Sequence, residues 1–406
     1  MRFISPKIKN MWNPAELKDK YDVVIIGAGV HGLSTAYYLA KNGVTKVAVL
    51  DKGYVGGGAS ARSTAIIRAN YLTIEGIPFF RESLKLYEDL SKELSFNILF
   101  NQMGRLDLGH SDSDIFNLNL RSEFNQALGV ESNIIGPEEI LEIEPKLDLR
   151  VGKPHPVIAA LYHPPAGTAR HDAVVWGYAR EASKLGVEIF PFTEVNGFVL
   201  SGQSVKGVKT NKGQILADSI VSATAAWSSS VMSLMNITLP ISTYPLQAMV
   251  TEPLKPILSA TISSPKLHAY AYQTDRGEIV IGGPVDPYST FSQKSTLFML
   301  EELATFVLEL LPCLRDVNVL RQWTGLCDMT PDYAPVMGFV EGVEGLVLNC
   351  GWGTWGFKAA PISGKTTAEL IINNRVPELI KPFGLSRFEE GRLVNEKASA
   401  TAAALH

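Results

Sequence analysis

The sequence predicts an α/β fold: a Rossmann-like dinucleotide-binding domain, discontinuous in sequence, with a second domain built on a mixed β sheet. Three observations predict it. Residues 21–51 read as strand, glycine turn, helix, strand and acid. Two later stretches, 160–235 and 325–380, again carry short buried strands that feed small-residue or glycine turns. The segments between them hold strands and helices in a different order, as a separate domain requires. With 406 residues the chain can bury a large core and divide in two.

Tyr21-Asp22-Val23-Val24-Ile25-Ile26 is a β-branched run of the kind buried on both faces of a parallel sheet. Gly27-Ala28-Gly29-Val30-His31-Gly32 follows, and 33–41 continues with helical periodicity. Gly27 makes the tight turn, Gly29 lets a pyrophosphate approach the backbone, and Gly32 lets helix and strand pack closely. The helix start offers N–H donors and positive dipole. Residues 46–50 form the second strand, and Asp51, 19 positions after Gly32, is placed to accept ribose hydroxyls. A glycine turn in an ordinary α/β domain is the plainer reading, and it lacks this full order.

After Lys52 come Gly56-Gly57-Gly58 and then Arg62-Ser63-Thr64 with Ile66 and Arg68. Backbone N–H, hydroxyl and guanidinium donors on a glycine loop suit a second wrap around a phosphate-bearing cofactor. A mobile surface loop is the alternative. Residues 79–94 form an amphipathic helix, 99–108 a strand pair around Gly104, 111–129 a helix, and 134–143 hold another short one. A turn-rich loop at 162–167 leads to Arg170-His171-Asp172 and a helix to residue 185. Residues 187–222 read as four short strands, with Val195 in the second and turns at Gly202-Gln203 and Asn211-Lys212-Gly213.

Strands follow at 244–252, 268–274 and 278–283, then a helix at 295–311. The last buried strand, 345–350, delivers Gly351-Trp352-Gly353-Thr354-Trp355-Gly356-Phe357-Lys358 and a helix at 359–373. The expected division is 21–98, 160–235 and 325–380 for the dinucleotide domain and 99–159 and 236–324 for the substrate domain. Residues 1–20 and 386–406 are expected to be terminal extensions.

Composition excludes several classes. Hydrophobic residues make up 46% and charged residues 19%, with a formal net charge of −4, so there is no basic footprint for nucleic acid. Three cysteines without C-x-x-C spacing suit neither a disulfide framework nor a structural zinc site, and no metal is expected. They fit a reducing, cytoplasmic setting. No run approaches the roughly 18 apolar residues of a membrane span, and residues 1–20 lack a signal-peptide core.

Three stretches carry a resemblance: Thr64-Ala65-Ile66-Ile67-Arg68-Ala69-Asn70-Tyr71-Leu72, the segment from Arg170-His171-Asp172 to Ala179, and Gly351 to Lys358. With them, residues 20–385 resemble the D-amino-acid-oxidase-like FAD-dependent amine oxidoreductases, and within these the β subunits of heterotetrameric sarcosine oxidases. The segment around His171 is the most specific part. The resemblance implies FAD, bound non-covalently along Gly27, Gly29, Val30, His31, Gly32, Asp51 and Lys52. Arg62, Ser63, Thr64, Ile66, Val195, Gly353, Gly356 and Lys358 complete that set.

Physical chemistry adds a reason for the last group. The turn at Gly356 opens a helix, and a positive helix end with an ammonium stabilises a flavin ring that becomes anionic on reduction. The resemblance also implies FMN bonded covalently to His171 in the assembled complex. Such attachment needs a neutral imidazole nitrogen, which Asp172 could orient. On the residues alone, a histidine before a helix reads as a capping or packing group.

Departures from the family pattern matter. Ala59-Ser60-Ala61-Arg62-Ser63 stands where many relatives have glycine and asparagine. Cys327 does not have the spacing to Thr330-Pro331-Asp332 that would tether FAD, and 278–283 lack the oxygen-activating lysine of monomeric relatives. The implied activity is oxidation of sarcosine or a related N-methyl amino acid, releasing formaldehyde or a methylene unit for tetrahydrofolate on a partner subunit. The implied partners are α, γ and δ subunits. Lys358 and Arg68 are the expected carboxylate partners, with Tyr270 and Tyr272 as pocket walls. Such a site must hold the carboxylate and keep the amine unprotonated. An N-methylglutamate dehydrogenase-type subunit and an electron-relay flavin scaffold remain as alternatives.

Overall fold

The computed structural model describes residues 10–397. Of the expected terminal extensions, 1–20 and 386–406, residues 1–9 and 398–406 lie outside the described residues. The β-branched run becomes the centre of the first sheet. There β1 (Lys20–Ile26) lies between two parallel neighbours, β2 (Val47–Leu50) and β11 (Gly213–Ser222). Val24 and Ile25 are fully buried, as a strand covered on both faces requires. Two further parallel strands extend it, β8 (Glu188–Phe190) beside β2 and β18 (Val343–Cys350) beside β11. β17 (Val336–Val340) closes one edge antiparallel to β18. Of the four short strands expected in 187–222, β9 (Val195–Ser201), β10 (Ser204–Thr210) and β11 form an antiparallel meander, while the first, β8, pairs parallel with β2.

Three helices pack together on this sheet: α1 (Val30–Lys41), α5 (His171–Lys184) and α8 (Gly356–Asn373), with α2 (Gly76–Glu93) against α8. The closeness of α1 and α8 has a sequence cause. A Cβ at Gly364 would lie 2.1 Å from Ser34 Oγ, so only glycine admits this approach. A short α6 (Ser228–Ser233) follows β11.

The second sheet runs β16-β12-β15-β14-β13-β4-β6-β5. Its strands are β4 (Arg105–Gly109), β5 (Asn133–Ile135), β6 (Ala159–His163) and β12 (Ser242–Thr251), then β13 (Thr261–Ser264), β14 (Ala269–Gln273), β15 (Ile279–Val285) and β16 (Val319–Met329). α3 (Asp112–Ala127), α4 (Pro137–Ile143) and α7 (Leu297–Leu310) pack against it. A two-strand ribbon joins β3 (Ile66–Ile67) to β7 (Gly167–Thr168).

Several expectations need correction. Only β4 forms in 99–108; Asn101 makes a single bridge to Thr168 instead of a strand. β6 departs from the expected turn-rich loop at 162–167, and β13 forms in 253–267, a stretch for which the sequence predicts no element. β6 and β16 are continuous strands that straddle the expected boundaries at 160 and 325. Residues 386–397, expected as part of a terminal extension, are tied back to the fold. Arg387 pairs with buried Asp332, and Glu396 accepts from the N–H groups of Leu72 and Thr73. Among the described residues no helix is long and apolar enough to cross a membrane.

Candidate active site

A cavity of about 810 Å³ opens where the ends of β1 and β2 and the turn after β11 meet one face of the second sheet. This is where a doubly wound sheet binds its ligand. Gly27 turns at φ +110°, and a Cβ there would lie 2.3 Å from the Ala223 carbonyl. Asp51 lines the cavity and also builds the turn. Its Oδ2 accepts the Ala28 N–H and its Oδ1 the Gly53 N–H, each at 2.8 Å. The Val30 N–H at the start of α1 donates to Ser60 Oγ at 3.0 Å. Gly29, Val30 and His31 line the cavity; Gly32 lies behind it, where a Cβ would sit 2.0 Å from the Gly27 carbonyl.

The second wrap is tied by Arg62, which donates through Nη1 to the carbonyls of Gly57 and Gly58 and through Nη2 to Gln293. Lys52 places its ammonium 3.8 Å from the Trp227 ring centre, and Trp227 packs on Phe291 at 4.6 Å. Both aromatic rings line the cavity mouth with Val195. Neither aromatic was expected, since no local pattern links them to Lys52. Ser63, Thr64 and Ile66 also line the cavity.

The tyrosines divide. Tyr270 lines the cavity and accepts from Thr64 Oγ1 at 3.3 Å. Tyr272 does not line it: its hydroxyl donates to the Thr64 carbonyl at 2.8 Å and its ring packs with Ile66 and Val280. Alternation along β14 does not explain the displacement, because Tyr272 shares the face of Tyr270. It sits two residues further along the strand, outside the cavity lining.

At the far end, Gly353, Gly356 and Lys358 line the cavity beside Arg68 and Arg105. Asp328 holds this turn: Oδ2 accepts the Gly351 N–H at 2.6 Å and its carbonyl accepts the Gly353 N–H at 3.0 Å. Burial pushes its carboxyl up to about 6, against the pull of those amides. Burial and the nearby guanidiniums of Arg68 and Arg105 hold the Lys358 ammonium pKa well below its ordinary value. Cys327 lines the same end, and burial pushes its thiol pKa up, away from the reactive thiolate.

His171 stands apart. It opens α5, outside the cavity lining, and its Nε2 lies 3.0 Å from the Ala61 carbonyl. The expected orienting role of Asp172 is not what the geometry gives: Asp172 pairs with Arg170 at 3.2 Å. Among the described residues there is no group of three metal-ligating side chains.

Residues 22–370 match the family model of FAD-dependent oxidoreductases. The chain belongs to this family. It is 42% identical to sarcosine oxidase subunit beta of an Arthrobacter species over 394 residues, 97% of each chain. Against the protein of the same name from Rhodobacter capsulatus it is 40% identical, covering 96% of this chain and 94% of that one. The fold superposes on L-proline dehydrogenase from P. horikoshii with a TM-score of 0.87 and 32% identity, over 93% of this chain and all of that one.

The residues present fit the family's FAD. A Cβ at Gly58 would meet nothing within 4 Å, and one at Gly29 only Ser60 Oγ, so the backbone at both is open to a ligand. The cavity runs from the Gly27 turn and Asp51 to the start of α8. Gly27, Gly29, Asp51 and the Arg62–Thr64 wrap would hold the nucleotide end, and Gly353 to Lys358 the flavin end.

Proposed function

We propose that this chain is the FAD-binding, substrate-oxidising subunit of a hetero-oligomeric sarcosine oxidase and that it demethylates sarcosine. The observation that carries this reading is a pair of basic side chains, Lys358 and Arg68, in the wall of a flavin-sized cavity. Identity of about two residues in five to two sarcosine oxidase β subunits, over nearly the whole chain, supports it. Bound FAD supplies the hydride acceptor. The protein's part is to hold and dry the substrate. Lys358 and Arg68 take its carboxylate, which orients the N-methyl group. The same positive field disfavours a protonated amine, so the nitrogen keeps the lone pair that hydride loss needs. The start of α8 at Gly356 turns its N–H groups and dipole toward negative charge developing at the flavin end.

His171 is proposed to carry FMN covalently in the complex with α, γ and δ subunits. If its Nε2–H donates to Ala61, the Nδ1 lone pair stays free to bond. Burial lowers the pKa of the ring, partly offset by Asp172, and so favours the neutral form. Methylene transfer to tetrahydrofolate is assigned to a partner subunit. All three cysteines are free, which supports a cytoplasmic setting. The test is turnover of sarcosine with an artificial electron acceptor, by the complex and by the FAD-loaded chain alone. Reduction by both supports the reading; reduction only when a partner supplies the substrate site supports an electron relay.

A further inference from the structure

The second-sheet wall of the cavity carries a group that the proposed function does not use. Residues face one another in register across that wall. Ala248 pairs with Gly282, Gly282 with Tyr270, Tyr270 with Ser263, and Ser263 with Asp107. Gly282 gives its side-chain volume to Tyr270, since a Cβ there would lie 2.1 Å from the tyrosine oxygen. The row ends on β4, where Arg105 shares the face of Asp107, two residues on. Ala248, Tyr270, Ser263 and Arg105 all line the cavity.

Arg105 is only 7% exposed. A buried guanidinium is costly unless its hydrogen bonds are met. Asp107 meets one side alone: its Oδ1 accepts from Arg105 Nε at 2.9 Å and Nη2 at 2.7 Å. That carboxylate is shared. Its Oδ2 accepts from Asn70 Nδ2 at 2.9 Å and lies 3.3 Å from Arg121 Nη2. Arg68 joins through Asn70, donating Nη1 to its carbonyl at 2.7 Å and to its Oδ1 at 3.0 Å. Three guanidiniums therefore surround one aspartate, and Lys358 lines the same cavity. Among the described residues, no group accepts from Arg105 Nη1.

A carboxylate held by Lys358 and Arg68 leaves that edge of Arg105 unmatched. We propose that Arg105 reads a second anionic oxygen group of the substrate, so the preferred substrates are secondary amino acids with a second carboxylate. This rests on the cavity being an N-methyl amino acid site, and it names the substrate class of that site. Tyr270 supports the assignment. Burial pushes its pKa up to about 12, so its hydroxyl stays protonated and can donate to the same group. A neutral or apolar side chain would instead desolvate Arg105 without a partner, the kind of mismatch that separates substrates most strongly.

The test uses the assembled enzyme with sarcosine, N-methyl-L-alanine, N-methyl-L-aspartate and N-methyl-L-glutamate. The diacids are expected to exceed sarcosine in kcat/KM by about tenfold or more, mainly through lower KM. Arg105→Met is expected to cut the ratio of diacid to sarcosine by about tenfold or more. That variant leaves Asp107 one partner short, so the paired change Arg105→Val with Asp107→Asn is measured beside it. Binding is read separately from the flavin spectrum during titration with succinate and acetate. Sarcosine turnover with no preference for diacids, and a ratio unmoved in both variants, would overturn the role of Arg105 and leave the proposed function standing. If no secondary amino acid is oxidised, the proposed function fails; succinate affinity that is equal in wild type and variants then overturns the Arg105 assignment too.

Discussion

The imidazole of His31 lies flat on the indole of Trp352, with ring centroids 4.4 Å apart and planes 9° from parallel. One residue belongs to the first glycine turn and the other to the last, so the contact joins the two ends of the FAD cavity. His31 Nδ1 also lies 2.6 Å from Ser363 Oγ on α8. Burial lowers the imidazole pKa to about 3, so the ring stacks as a neutral group. Such aromatic pairs contribute about 0.5–1.5 kcal/mol beyond their area. His31→Ala is expected to weaken FAD affinity about tenfold or less, read by flavin fluorescence titration of the apoprotein. Unchanged affinity would mean that this joint does not shape the site.

Lys358→Met removes one charge-assisted contact to the substrate carboxylate, worth about 1.5–3 kcal/mol. The expected loss in kcat/KM for sarcosine is about 10- to 150-fold. Lys358→Arg is expected to recover part of it, because the charge returns with a different shape. Wild-type kinetics in Lys358→Met would remove this lysine from the site.

Much of this was legible in the chain because the chemistry is local. A strand, G-x-G-x-x-G, a helix and an acid in a row fix β1, α1, β2 and Asp51 within one short stretch. Gly353, Gly356 and Lys358 were legible because a glycine turn precedes a helix. Arg105 was not, since its role depends on β13 and β14 bringing Ser263 and Tyr270 beside it. Trp227 and Phe291 were missed for the same reason. Tyr272 lies further from the cavity than the sequence predicts, because strand alternation gives a face and not a depth. Glu396 shows the limit at the chain end: nothing around it forecasts a contact with Leu72 and Thr73.

Glu144 gives a pH-dependent stability. Its Oε1 accepts the N–H groups of Ser259 and Ala260, while Oε2 has no partner among the described residues. Burial, opposed by those two amides, raises its pKa from 4.5 to about 7. The folded state therefore binds the proton more tightly than the unfolded one. This contribution to stability is fully present below the unfolded value and is lost as pH rises through about 7. Glu144→Gln keeps the acceptor and removes the charge. It is expected to raise the thermal midpoint at pH 8 by a few degrees, about 1–2 kcal/mol, and to flatten the pH dependence. A variant less stable than wild type at pH 8 would refute this.

Covalent FMN at His171 is read from mass. The co-expressed complex, precipitated with acid, is expected to keep one flavin on this chain and release FAD. His171→Asn is expected to abolish the retained flavin with the cavity's FAD still bound. Complete release from the wild-type complex, or retention by the variant, would place the second flavin elsewhere.

The most direct measurement is anaerobic titration of the FAD-loaded chain with sarcosine, watching the visible flavin band without any acceptor present. A site that oxidises sarcosine at this FAD will bleach the band completely, and the Lys358→Met variant will need more substrate or more time to reach the same end point. A spectrum that sarcosine leaves oxidised, in a chain whose FAD dithionite still reduces, would contradict the account.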